Sequence, residues 1–170
     1  MVDVLILCTG NAARSVMAAT SLAARRPDLR VATGGTLVVD GQPMSIRTRA
    51  AIEGVGLTIP RHASRQVHPP DLDEATLVMA LAPEHVEWVR RTHPPAAERT
   101  ATLRRLVRDL VPAPSLAEQV AALDPHRVEL EPWEEVVDPG GGEADVFAAC
   151  ARDIDELVHA LASRLAPSGS

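Results

Sequence analysis

The sequence predicts an α/β protein: a single-domain, three-layer α/β/α fold around a mainly parallel sheet. Three observations carry this. Short apolar runs alternate with alanine-rich amphipathic stretches, glycines and prolines punctuate their ends, and at 170 residues the chain is long enough for one domain to bury roughly 70% of its unfolded surface. Residues 1–166 are assigned to that domain, and 167–170, at the end of "APSGS", to a disordered tail.

The elements follow in order. Val2–Leu7 is a short apolar run broken only by Asp3, which suits a buried strand better than a helix. Val16–Arg26 has helical spacing and a basic end, with Pro27 beyond it. Residues 29–35 read as a second strand ending in two glycines, and 45–56 as a capped helix stopped by glycine. Residues 75–81 read as a third strand, and 83–93 as a helix with proline in its first turn. Leu103–Leu110 and Ser115–Leu123 are short amphipathic helices, and a longer one runs from about Ala144 to Leu165. Between them, "ELEPWEEVVDPGGGEAD" reads as an exposed, mobile loop.

Composition excludes several function classes. Apolar runs fall far short of the ~18 residues that span a bilayer, and Asp3 stands where a signal peptide carries basic residues, so the protein is expected in the cytoplasm, away from membranes. Only Cys8 and Cys150 occur, too few for a disulfide framework. All 17 basic residues are arginine, which rules out a lysine-bearing phosphate loop. A net charge of -6, two Trp, one Phe and no Tyr argue against nucleic acid. The six histidines do not cluster, so no metal and no cofactor is expected. Nothing in the sequence sets an oligomeric state.

The chemistry gathers in "LILCTGNAARS", residues 5–15, where a strand passes through a tight loop into a helix. Such a loop lies at the carboxyl edge of a parallel sheet, and its amides, with those of the helix start, favour a phosphate-like oxyanion. Thr9, Gly10, Asn11, Ala12, Ala13 and Ser15 are the candidate binding residues; the small ones let the anion approach the main chain. Arg14 supplies a planar fork for a tetrahedral dianion. Cys8 sits at the floor, where the same field favours the nucleophilic thiolate.

Cys8-x5-Arg14-Ser15 with Gly10 and Asn11 resembles the signature of the low-molecular-weight protein tyrosine phosphatases. "TGGT" at 33–36, "GQPMS" at 41–45, "RHASRQV" at 61–67 and "VVDPGGG" at 136–142 resemble later landmarks of that family in order. The resemblance implies a central, mainly parallel four-stranded sheet and a hydrolase acting on phosphorylated protein through a cysteinyl phosphate. It also implies that Asp138, before Pro139 and three glycines, is general acid and then general base; Asp124, also followed by proline, reads as a turn residue. Asn11, Ser15, Thr33 and His62 are placed by the resemblance in a network supporting the loop and its thiolate.

The departures concern substrate. Ala13 stands where the family usually has a second cysteine, so no disulfide forms within the loop. Gly140 stands where an aromatic commonly follows the Asp-Pro, leaving Trp133 to line the rim, while Trp88 and Phe147 are expected to pack in the interior. Phosphotyrosine is the leading expectation and phosphoarginine the alternative, and Ala12 matches neither specificity cleanly. A thiol-dependent arsenate reductase would need a relay through Cys150, which reads as the buried face of the last helix. A phosphate-binding module without turnover is the remaining class.

Overall fold

The structure, a computed structural model, describes residues 1–168. Its core is a four-stranded, wholly parallel sheet of order β2-β1-β3-β4, with β1 at Val2–Cys8, β2 at Val31–Gly35, β3 at Ala75–Ala80 and β4 at Thr100–Thr102. Helices α1 (Arg14–Arg25), α2 (Ile46–Gly54), α3 (Pro69–Glu74), α4 (Pro83–Thr92), α5 (Leu103–Asp109), α6 (Leu116–Leu123) and α7 (Ala144–Ala162) connect and cover it.

Side chains alternate along a strand, so β1 serves two cores. Val4, Ile6 and Cys8 pack with buried residues of α1, α2, α5, α6 and α7, while Leu5 and Leu7 pack with Leu72 and Val89 of α3 and α4. That is why Val4–Leu7 reads as an unbroken apolar run. Asp3 is fully buried yet satisfied: both its oxygens receive the Arg30 guanidinium, and the Arg30 amide adds a third bond.

Several features differ from the expectation. Strand β4 and helix α3 carry too little periodicity to read, and α1 begins at Arg14, two residues early. The segment before Asp138 is not a mobile loop: Glu134 and Val136 are buried, and the Val136 amide donates to the Leu81 carbonyl at 2.8 Å. In the expected tail, the Pro167 carbonyl accepts a hydrogen bond from the Leu116 amide, while 169–170 lie outside the described residues.

Candidate active site

Strand β1 ends at the carboxyl edge of the sheet, and Cys8, its last residue, opens the loop into α1. The Cys8 thiol is 3% exposed and lies 3.0 Å from the Ser15 hydroxyl. Asn11 takes the left-handed conformation at φ 51°, which asparagine tolerates better than most residues. Its side chain then ties the loop on two sides, donating to Ser15 Oγ at 2.9 Å and accepting from the Arg65 amide at 3.0 Å. The Asn11 carbonyl receives His62 Nε2–H at 2.6 Å and the Ser64 hydroxyl at 2.9 Å. Among the described residues no side chain caps the start of α1, so its first-turn amides remain available to an anion.

Arg14 is 2% exposed. One arm donates to the Val136 carbonyl at 2.9 Å, and the other faces Asp138 at 3.5 Å and Glu84 at 4.0 Å. Asp138 is more than half exposed, and its carboxyl is steadied by the Gly140 amide at 2.9 Å. Gly141 closes the turn at φ +80°, and a Cβ on Gly142 would meet Val146 at 2.8 Å. The three glycines thus hold a tight turn that aims Asp138 at Arg14.

These groups surround a hollow of about 250 Å³ lined by Cys8, Gly10, Ala12, Ala13, Arg14, Ser45, Thr48, Asp138, Gly140 and Phe147. Cys8, Arg14 and Asp138, 130 residues apart in sequence, therefore face one space. Asn11, Ser15 and His62 are joined to the loop by hydrogen bonds, and Thr9 lies beside it with its hydroxyl 3.0 Å from His85 Nε2. Thr33 stands apart: its carbonyl accepts from Arg65, and it lines a different hollow with Val16, Thr20 and His62.

Other expectations shift. Phe147, expected only in the core, also lines the hollow from the first turn of α7. Trp133 does not line it; its ring lies under Arg105 and Arg108, 4.8 and 4.1 Å from their guanidinium carbons. Asp124 is a left-handed turn residue at φ 52°, paired with His126 and Arg127. The hydroxyl wall of Ser45 and Thr48 was missed because it lies at the start of a helix more than thirty residues from the loop; the Ser45 N-cap was its only visible signal. His85 was missed because one histidine on an amphipathic helix carries no signal of its own.

A buried thiol beneath uncapped amides and a guanidinium, with a carboxyl group opposite, is the equipment of a cysteine-dependent phosphatase. The sequence model of the low molecular weight phosphotyrosine protein phosphatase family matches residues 3–169, and the chain belongs to that family. It is 26% identical over 163 residues to a protein-arginine-phosphatase of Geobacillus stearothermophilus, covering 95% of each chain. It is 24% identical over 101 residues to a low molecular weight protein-tyrosine-phosphatase of Acinetobacter johnsonii, covering 59% of this chain and 71% of that one. The solved YwlE arginine phosphatase from Geobacillus stearothermophilus superposes with a TM-score of 0.76 at 26% identity, over 96% of this chain and 92% of that one. The protein is a cysteine-based protein phosphatase.

Proposed function

We propose that Cys8 is the nucleophile of a two-step phosphoryl transfer. In the first step the Cys8 thiolate attacks phosphorus, an S–P bond forms as the bond to the leaving atom breaks, and the Asp138 carboxyl gives that atom its proton. In the second, water attacks phosphorus, its proton passes to the Asp138 carboxylate, and the S–P bond breaks to return thiolate and phosphate. The observation that carries this reading is the convergence of a thiol 3.0 Å from Ser15 with Arg14 and Asp138 3.5 Å apart around one hollow. The Ser15 hydroxyl donates to sulfur as it leaves, and loop amides with Arg14 take up the charge of the three equatorial oxygens. These groups supply the stabilisation themselves, so EDTA leaves turnover unchanged. A reducing compartment such as the cytoplasm keeps the thiol competent.

Phosphotyrosine is the substrate that the walls fit best. Ala12, Ala13 and Phe147 present an apolar slot for a ring. Phosphoarginine is the second reading, favoured by the Ser45 and Thr48 hydroxyls and the exposed Asp138 carboxylate, which suit a guanidinium, and by the name of the relative matched over 95% of its length. Turnover of phosphotyrosine and phosphoarginine peptides by wild type, Cys8→Ser and Asp138→Ala tests both. Cys8→Ser abolishes hydrolysis, and Asp138→Ala lowers kcat/KM by about 10²–10⁴-fold on phosphotyrosine. Turnover by Cys8→Ser at the wild-type rate would end the proposal.

A relay of electrons through Cys150 is disfavoured. Its thiol is buried against the Val137 carbonyl at 3.7 Å, and burial pushes its pKa up to about 11.

A further inference from the structure

A second polar cluster lies behind the acid segment. Arg105 on α5 has a side chain only 7% exposed, and its Nε and Nη2 donate to the two oxygens of Glu134 at 3.0 and 2.8 Å. Glu134, 1% exposed, also accepts from the Thr102 hydroxyl and the Glu131 amide, both at 2.8 Å. Arg105 goes on to Asp109 at 3.1 Å and the Glu129 carbonyl at 3.0 Å. Taking two charges out of water is costly, and apolar residues of similar volume often give equal or greater stability. No step of the reaction uses this pair, so its value lies in what it orients.

What it orients is the backbone leading to the acid. Past Glu134, the Glu135 carbonyl accepts from Arg104 at 3.0 Å, the Val136 amide donates to Leu81, and the Val136 carbonyl accepts from Arg14. Asp138 follows two residues later. We propose that Arg105 is a positioning residue for Asp138: its two-pronged hold on Glu134 fixes the start of a rail whose far end presents the acid to the leaving group. The proposal rests on the reading of Asp138 as general acid.

The test compares kcat/KM for two substrates. p-Nitrophenyl phosphate releases a stable anion without help, whereas phenyl phosphate needs a proton donor. The paired variant Arg105→Met/Glu134→Leu removes both charges and leaves neither orphaned. The expected result is a loss of about tenfold or more on phenyl phosphate with p-nitrophenyl phosphate nearly unchanged, and no further loss when the pair is introduced into Asp138→Ala. Arg105→Lys, which keeps the charge and loses the fork, shows the same discrimination to a smaller degree and serves if the pair fails to fold. Equal losses on both substrates, no loss on either, or losses that multiply with Asp138→Ala would overturn the proposal. If Asp138→Ala alone fails to discriminate, the acid assignment falls and takes the proposal with it; if it discriminates and the Arg105 variants do not, only the proposal falls.

Discussion

His85 sits in the first turn of α4, almost fully buried, and burial together with the Arg14 charge pulls its pKa down to about 3. Its Nδ1 is buried without a partner among the described residues, so the proton belongs on Nε2, which donates to Thr9 and also faces Glu84 at 3.5 Å. The folded state therefore refuses a proton that the unfolded chain binds below its ordinary pKa of about 6.5. Stability from this group is intact above that pH and declines toward pH 3 by about 1.4 kcal/mol per unit. Urea melts at pH 7 and pH 5 should show wild type losing about 2 kcal/mol more than His85→Gln, which keeps an N–H for Thr9 and does not titrate. Identical losses in both proteins would mean that the imidazole ionises within the fold.

At the level of elements, β2 meets the thiol loop through Gly35. A Cβ there would lie 2.5 Å from the Thr9 carbonyl and 2.2 Å from Val38 Cγ2, closer than any side chain tolerates. Gly35→Ala should therefore cost about 1–3 kcal/mol by thermal melt and weaken phosphate binding as the loop shifts. Unchanged melting and affinity would show that the loop yields freely.

Legibility in the sequence followed element length and locality. Strands β1 and β3 and helices α1, α4 and α7 could be read because their apolar spacing is sustained over six or more residues. Strand β4 is only "TAT", buried by its neighbours and not by its own pattern, and α3 is "PPDLDE", a single turn held by a capping box. The stretch 131–137 looked like a loop because three glutamates and a proline suggest solvent; the missing information was Arg105, on a different helix, which turns one of those glutamates inward.

Across the molecule, the contiguous loop from Cys8 to Ser15 was fully readable, because strand, turn and helix start all lie within one stretch. The placement of Asp138, the proposed acid, beside the loop was foreshadowed by Asp-Pro and its glycines. The walls were not: Ser45, Thr48 and Phe147 reach the hollow only through the packing of α2 and α7 over β1, a consequence of sheet order that no local pattern encodes. The aromatic wall thus arose from Phe147, a residue whose position on an amphipathic helix fully accounted for it as core.

Arg14 shares its free arm between Asp138 and Glu84, both largely exposed, on a chain of net charge -6. The two carboxyl groups beside the guanidinium and the net negative charge of the chain both oppose an incoming dianion, so the pull of Arg14 acts mainly at short range. Added salt should therefore quicken the encounter with a dianionic aryl phosphate, because mobile ions within the ~10 Å Debye length at 0.1 M screen the repulsion first. Stopped-flow association that slows steadily with ionic strength would mean the buried guanidinium governs the approach as well as the grip.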